Sequence, residues 1–135
     1  MNNGIELGQQ TINPRRRAYQ RFPVGGLPFN ATWLSERQKI NGSGVLLDIS
    51  RGGFGGRMIE APVVGRLLHT KLLLPMVSGE WRDKLVEADA RVCSRVPVSD
   101  GVNQGWDVHF AIESIHPVDE KHMATAIQVL QRRLS

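Results

Sequence analysis

Hydrophobic and polar residues alternate along most of the middle of the chain. The alternation is plainest in segments 86–92 and 106–113, where most of the intervening residues are charged. The apolar positions are Val86, Ala88, Ala90, Val92, Trp106, Val108, Phe110 and Ile112. Successive side chains of a β-strand point to opposite faces, so a period of two predicts half-buried antiparallel strands here.

Four further segments have the length and apolar content of strands: 29–33, 45–49, 54–59 and 67–74. Turn signals separate the segments, and they are Asn41-Gly42, Gly52-Gly53, Ser78-Gly79 and Asp100-Gly101. Six short strands with polar outer faces must cover one another. A small antiparallel barrel achieves this without leaving strand edges exposed.

The periodicity changes after Pro117. Apolar residues now recur at spacings of four, three and four, which is typical of one face of a helix. They are Met123, Ile127, Leu130 and Leu134. Such a helix must dock on an apolar surface, either the mouth of the barrel or a partner subunit. The predicted fold is therefore all-β dominated, a six-stranded antiparallel β-barrel with a C-terminal α-helix.

Size and composition narrow the class of protein. The chain has 135 residues, which suits one domain with a substantial core. No apolar run approaches the roughly 20 residues of a membrane span, and Met1 to Thr11 lacks the apolar core of a secretory signal. The single cysteine, Cys93, agrees with a reducing compartment and is expected to be buried. We expect a cytoplasmic protein without membrane insertion.

Positive charge is concentrated near the N-terminus. The net charge is +4, and four arginines fall within segment 15–21. This cluster indicates a local anionic partner, although a solvated run of charges would give the same pattern. Residues 1–14 are rich in Asn, Gln and Gly and predict a flexible arm. Because the arginines repel one another, we expect their segment to be disordered until an anion binds.

A second unusual stretch extends from Asp48 to Gly56. Asp48 and Ser50 lie two residues apart, so on a strand they share one face. Four of the five residues 52–56 are glycines. Glycine permits positive φ angles and lets the backbone approach another chain or a ligand closely. A bulged turn in which both polar side chains bond to local amides would explain the same residues.

Taken together, the two stretches complement a guanine nucleotide. One edge of guanine carries the O6 and N7 acceptors, which the fork of an arginine matches. The other edge carries N1–H and N2–H, whose protons a carboxylate and a hydroxyl can accept. Arg17 and Arg21 are four residues apart, so they can reach different parts of one bulky anion.

In order and spacing, these residues resemble PilZ domains, the bacterial receptors for cyclic di-GMP (c-di-GMP). The resemblance rests on Arg17-x-x-x-Arg21 followed by Asp48-x-Ser50-x-x-Gly53, and it extends over roughly residues 15–134. It implies a six-stranded barrel whose N-terminal arginine loop folds over the dinucleotide. The expected organisation is an arm (1–14) and a PilZ-like domain (15–135), comprising the arginine loop (15–22), the barrel (about 23–115) and the helix (about 117–134).

The resemblance also implies a role for each motif residue. The motif arginines would bind guanine and phosphate, Asp48 and Ser50 would contact guanine, and Gly53 would leave room for the ligand. Arg16, just before the first motif arginine, is similar to the residue in members that bind an intercalated ligand pair. We therefore expect two c-di-GMP molecules per chain. The implied ligand set is Arg16, Arg17, Arg21, Asp48, Ser50 and Gly53.

The sequence offers little support for catalysis or for a metal site. Its histidines show no metal-ligand spacing with one another or with Cys93, and they are His69, His109, His116 and His122. His109 falls on the polar face of its strand and is expected to be solvated. No histidine is placed to activate Ser50, and the glycines lack the ending of a phosphate loop. We therefore expect a binding module, not an enzyme, with no cofactor apart from the ligand.

Three functional hypotheses remain at this point. The first is a c-di-GMP effector whose arm becomes ordered on the ligand and so alters a contact with a protein partner. The second is a small basic barrel that binds single-stranded nucleic acid, with Arg15 to Arg21 on phosphates and Tyr19, Phe22 or Trp33 stacking on bases. The low aromatic content, 6%, disfavours this second hypothesis. The third is a PilZ-like interaction module without ligand, which the intact motifs disfavour. Neither the partner nor the oligomeric state is indicated.

Overall fold

The computed structural model describes residues 10–11, 20–24, 26–75, 84–99 and 104–134. Its strands are β1 (Gln10–Thr11), β2 (Phe22–Pro23), β3 (Pro28–Ser35), β4 (Gln38–Ser50), β5 (Gly53–Met58), β6 (Leu67–Leu74), β7 (Lys84–Ser99) and β8 (Gln104–Ile115). One helix, α1 (Pro117–Leu134), follows them. Of the arm expected at 1–14, only Gln10 and Thr11 are described, and they pair with β7.

Six antiparallel strands close into a barrel. Their order is β7, β6, β3, β4, β5 and β8, and β8 pairs again with β7. Two short strands extend the pairing, β1 along the second half of β7 and β2 along the end of β4. The predicted fold class, a six-stranded antiparallel barrel with a C-terminal helix, is therefore confirmed.

The inner face of the barrel is apolar, as the alternation predicts. Phe29, Phe54 and Phe110 pack together at its centre, with ring centroids 4.6 to 5.8 Å apart. The apolar positions of 86–92 are all buried. Thr70 breaks the apolar pattern of β6 but is also buried, because its hydroxyl donates to the Ala88 carbonyl oxygen at 2.7 Å.

Helix α1 packs on its own barrel, against β7 and β2. Its buried side chains are Met123, Ala126, Ile127, Val129 and Leu130, so its apolar face is wider than the predicted stripe. The question whether the helix docks on the barrel or on a partner subunit is thereby answered in favour of the barrel. In the described part of the chain, no helix combines the length and the apolar composition needed to cross a bilayer.

The turn predicted at Asn41-Gly42 is wrong, because both residues lie inside β4. The β3–β4 hairpin instead turns at Glu36 and Arg37, which both have positive φ angles, of 50° and 68°. Asn41 accepts a hydrogen bond from the Thr32 hydroxyl across the two strands at 3.0 Å. Two positive φ angles match the right-handed twist of the flanking strands, and here two charged residues supply them. The signals at Ser78-Gly79 and Asp100-Gly101 lie outside the described residues.

Strand β2 fixes the chain just after the arginine cluster. Phe22 and Pro23 pair with Ile49 and Asp48 of β4, and Phe22 is buried in the core. The Val24 amide also donates to the Leu47 carbonyl oxygen at 3.1 Å. Apolar burial and backbone pairing thus bring the end of the arginine cluster next to the Asp-x-Ser strand.

Candidate functional site

The candidate site is a row of four residues across neighbouring strands, which we call the open row. It consists of Asp48 on β4, Gly55 on β5, His109 on β8 and Ser94 on β7, each directly opposite the next. Residues in such a row share one face of the sheet. Because Phe54 and Phe110, the chain neighbours of Gly55 and His109, point into the core, this face is the outer one.

Two β-bulges set the ends of the open row. The register shifts between Leu46 and Asp48 on β4, and between Val92 and Ser94 on β7. A bulge inserts one residue and redirects the side chain that follows it. Leu46 and Val92 are fully buried, so each bulge separates a core residue from a polar member of the row.

Gly55 forms the floor of the row. A Cβ atom at this position would lie 3.0 and 3.2 Å from the two carboxylate oxygens of Asp48, and 3.2 Å from His109 Nε2. The carboxylate and the imidazole thus lean over the glycine from its two sides. The two polar side chains fit this closely because glycine has no side chain of its own. The space above the floor is therefore narrow and polar.

Arg21 reaches this row from the segment just before β2. Its Nη1 donates to His109 Nε2 at 2.5 Å. A guanidinium can only donate, so Nε2 is an acceptor and His109 is neutral, with its proton on Nδ1. Nδ1–H then faces Ser94 Oγ at 3.4 Å. Arg21 thus sets the tautomer of His109, and the Ser94 hydroxyl is compatible with it.

Asp48 carries an unsatisfied acceptor. Its Oδ1 is buried and has no hydrogen-bond partner in the described part of the chain. A buried polar atom without a partner costs about 1–3 kcal/mol, and more when the group is charged. Nearly all such atoms in folded proteins are satisfied. Arg95 Nε and His122 Nδ1 are also buried without a hydrogen-bond partner among the described residues, but Asp48 Oδ1 lies on the outer face above a glycine floor, which makes it the candidate for a donor from another molecule.

Ser50 and Gly53, the other residues of the second motif, have roles within the fold. The buried Ser50 hydroxyl faces the Gly53 carbonyl oxygen across the β4–β5 turn, at 3.3 Å. A Cβ atom at Gly53 would lie 2.0 Å from the Phe110 carbonyl oxygen, so the close approach of β8 requires glycine here. The local-turn interpretation therefore suits Ser50, whereas Asp48 Oδ1 has no local amide. The ligand roles expected for Ser50 and Gly53 stay predictions.

The structure brings together only part of the predicted ligand set. Arg21 and Asp48 meet around His109 and Gly55, as described above, while Arg16 and Arg17 lie outside the described residues. The expectation that His109 is solvated is wrong, because it is partly buried and bonded to Arg21. Its position on the polar face of β8 was visible in the sequence. Which residue it would face depends on the strand register, which the sequence does not show.

A second histidine on the outer face has a different environment. His69 lies between two carboxylates, with Nε2 2.8 Å from Glu87 Oε1 and Nδ1 3.0 Å from Asp89 Oδ1. We call these three residues the paired patch. The hydrogen bonds to Asp89 and then to Glu87 raise the pKa of His69. No group of three His, Cys, Asp or Glu residues among those described could hold a metal ion.

Other charged residues of the barrel also form ion pairs. Arg57 binds Asp107 with two hydrogen bonds, at 2.8 and 3.2 Å, and Arg91 binds Glu113 at 2.5 and 2.9 Å. These pairs join neighbouring strands on the solvent-exposed surface. Cys93 is buried, as expected.

The aromatic residues suggested as a stacking surface for nucleic acid are poorly placed for that role. Phe22 is 5% exposed and belongs to the core. Trp33 is partly buried and packs against the core, and Tyr19 lies outside the described residues. Stacking needs an accessible ring face. Phe22 is therefore excluded as a stacking residue for nucleic acid, and Trp33 is a weaker candidate than the sequence suggested.

No protein-family model and no curated protein sequence matches the chain. Solved structures do match. The PilZ domain of YcgR from Escherichia coli, with c-di-GMP, is 22% identical with a TM-score of 0.61, over 88% of this chain and 94% of that one. The inhibitor of motility MotI/DgrA from Bacillus subtilis is 20% identical with a TM-score of 0.60, over 91% and 52%. The MrkH–c-di-GMP complex from K. pneumonia is 14% identical with a TM-score of 0.59, over 91% and 55%.

These likenesses establish the fold. The chain has the fold of PilZ domains, which confirms the resemblance drawn from its motifs. Two of the three similar structures contain c-di-GMP. The chain spans about half the length of MotI/DgrA and of MrkH.

Proposed function

We propose that this chain is a receptor for c-di-GMP and acts as a cytoplasmic effector in bacterial second-messenger signalling. The observation that carries the proposal is the buried Asp48 Oδ1, which lacks a donor on the described residues. Guanine has the N1–H and N2–H donors that this oxygen needs. The fold that holds the open row is shared with two c-di-GMP complexes, and this likeness supports the choice of ligand.

Each motif residue has a chemical task in this proposal. One guanine lies over the Gly55 floor with its donor edge towards Asp48, and Ser50 supplements that contact. Arg21 approaches the same floor and supplies N–H donors for the O6/N7 edge or for a phosphate. Arg16 and Arg17 provide further cations, and Gly53 keeps β5 close to β8. The ligand set is thus Arg16, Arg17, Arg21, Asp48, Ser50 and Gly53.

In this proposal ligand binding orders the backbone of the arginine loop, whereas the Arg21 side chain already contacts His109 on the barrel in the free protein. The two phosphates of the ligand neutralise the repulsion among the arginines of segment 15–21 and connect that segment to the barrel. Fixing about eight residues costs on the order of 1–2 kcal/mol each, so the affinity falls well short of the summed contacts. A newly ordered loop changes the surface that a partner protein meets, and such a differential contact is required for any ligand-driven switch.

Calorimetric titration with c-di-GMP, GTP and an oligonucleotide tests the proposal. We expect a micromolar or submicromolar dissociation constant for c-di-GMP and weaker binding of the other two compounds. Arg17→Ala and Arg21→Ala should each weaken binding roughly 5- to 150-fold, since a good arginine–guanine contact contributes about 1–3 kcal/mol. Lys39→Ala removes one charge from the opposite end of β4 and is the matched control. A wild-type protein that does not bind c-di-GMP would refute the proposal.

The number of ligands is measured in the same titration. We propose that Arg16 supports a stacked pair of c-di-GMP molecules, because four phosphates then lie close together and need more cations. The stoichiometry should be two per chain for the wild type and should fall towards one for Arg16→Leu. An unchanged ratio in the variant would reject this role of Arg16.

Hydrogen exchange tests the ordering step separately from binding. Amides of Arg15 to Arg21 should exchange rapidly in the free protein and become protected when c-di-GMP is added. The amides of β6, within the barrel, serve as the internal control because their protection should not change. Strong protection of 15–21 without ligand would exclude ordering but leave the binding proposal intact.

A further inference from the structure

We propose that His109 is a positioning residue that holds Arg21 in place for the ligand and keeps it from pairing with Asp48. This inference rests on the proposed function, since the ligand in question is c-di-GMP. The sequence motifs do not include His109, and its place in the site comes from the register of β5, β7 and β8. It carries the inference because it contacts Arg21 directly and overhangs the same glycine as Asp48.

The orientation of His109 is fixed before any ligand arrives. Its strand is paired on both sides, with Gly55 opposite on β5 and Ser94 opposite on β7. Because the Arg21 guanidinium can only donate to Nε2, the ring proton lies on Nδ1, where Ser94 Oγ at 3.4 Å can accept it. A hydrogen bond whose acceptor is held rigidly limits the rotamers of the donor. The arginine therefore loses less conformational freedom when it meets the ligand.

The neutrality of His109 matters as much as its position. A guanidinium and a carboxylate normally form a strong charge-assisted pair, and Asp48 stands on the other side of the same glycine floor. Pairing between Arg21 and Asp48 would satisfy the carboxylate and compete with guanine for it. A neutral acceptor binds the guanidinium without using Asp48. His109 thus holds Arg21 beside the Gly55 floor without using the Asp48 carboxylate.

A double-mutant cycle tests the inference by titration with c-di-GMP. His109→Phe keeps a flat ring but removes the acceptor, and we expect binding to weaken roughly 10-fold, the effect of losing a hydrogen bond to a charged group. His109→Gln retains an oxygen acceptor and should bind within about 3-fold of the wild type. In the Arg21→Ala background, His109→Phe should cause no further loss, because its effect passes through Arg21. His69→Phe, a histidine of the paired patch, is the matched control and should bind normally.

Three outcomes would overturn the inference: unchanged binding by His109→Phe, equal loss in His109→Gln and His109→Phe, or losses that add in the double variant. Additive losses would mean that His109 touches the ligand itself or acts through the fold. An effect through the fold would appear as a lowered melting temperature of the variant. If the wild type does not bind c-di-GMP, the proposed function fails, and a ligand-free measurement still decides the role of His109.

That measurement is nitrogen-15 NMR of the histidine rings in the free protein. His109 should show the Nδ1–H tautomer in the wild type, because Arg21 occupies its Nε2. Arg21→Ala should shift the ring towards a mixture of tautomers, whereas Lys39→Ala should not. A wild-type His109 protonated on Nε2, or a tautomer indifferent to Arg21, would contradict the contact on which the inference depends.

Discussion

Two histidines lie on the outer face of the same barrel, each near an aspartate, and their environments differ. In the paired patch, His69 bonds to Asp89 and Glu87, and all three side chains are 47% exposed. In the open row, His109 bonds to Arg21, and Asp48 Oδ1 is buried without a hydrogen-bond partner among the described residues. The carboxylates of the paired patch bond to His69, whereas the open row contains a carboxylate oxygen for which the described residues supply no donor.

This difference shows which polar clusters on a strand surface are candidates for ligand binding. Exposed ion pairs contribute little to stability and leave no unmet need for a hydrogen bond. A buried carboxylate oxygen without a donor lowers stability in the free protein, so its retention calls for a second explanation. The proposed ligand binding is such an explanation, because guanine carries the N–H donors that this oxygen lacks. The variants described next test this contrast, in order of decreasing effect.

The largest effect, a loss of folding stability, is expected from Gly53→Ala. Gly53 is the motif glycine on β5, two residues before Gly55 of the open row. The new Cβ would lie 2.0 Å from the Phe110 carbonyl oxygen, so β5 and β8 would have to separate. Overpacking of this kind costs about 3 kcal/mol, and urea unfolding measures it. Gly55→Ala is the matched control, because its Cβ meets side-chain atoms only. A Gly53→Ala protein of wild-type stability would mean that this glycine serves the ligand and not the barrel.

The next effect separates the two aspartates. Asp48→Ala should weaken c-di-GMP binding roughly 5- to 150-fold without lowering the free energy of unfolding, because its buried Oδ1 gives up no hydrogen bond. Asp89→Ala should leave binding unchanged and slightly lower the melting temperature, since its bond to His69 is lost. Titration with c-di-GMP and thermal melts give an affinity and a melting temperature for each of the two variants. Equal changes in the two variants would remove the distinction between the row and the patch.

Much of the fold could be predicted because its main signal is local. Alternation in 86–92 and 106–113 follows directly from burial of one strand face, and the inner positions are buried except for Trp106 and Ile112, which are partly buried. The helix after Pro117 is likewise predicted by its own spacing. The turn predicted at Asn41-Gly42 is wrong because these residues pair with Ala31 and Thr32 of β3. The β3–β4 register, which no local signal reports, places the turn at Glu36 and Arg37.

The site could be predicted only in part, for a related reason. Asp48 and Arg21 belong to short motifs, and their chemistry is visible in the sequence. His109 and Gly55 join Asp48 through strand pairing and two bulges. A shift of one residue in either pairing would exchange the inner and outer faces. The polar position of His109 was therefore predictable, whereas its neighbours were not.

A smaller effect is expected from Gly55→Ala, which fills the floor of the open row. The added methyl group lies 3.0 Å from Asp48 Oδ1 and 3.2 Å from His109 Nε2, so both side chains must move by a few tenths of an ångström. We expect c-di-GMP binding to weaken about 5- to 10-fold, as one hydrogen bond is misaligned. Stability should be retained, because alanine is less costly than glycine in a strand. Unchanged affinity would show that the ligand does not approach this floor.

The smallest effect concerns the pH dependence of the paired patch. The hydrogen bonds to Asp89 and Glu87 raise the folded pKa of His69 above its ordinary value of about 6.5. Its stabilising contribution is therefore complete below that ordinary value and is lost as the pH rises through the raised pKa. The group is exposed, so we expect His69→Gln to lower the melting temperature by on the order of 1 °C at pH 5.5 and by less at pH 9. If the difference in melting temperature between the wild type and His69→Gln instead grew with pH, the pKa of His69 would not be raised. The paired patch could then no longer be contrasted with the open row as a cluster stabilised by its own hydrogen bonds.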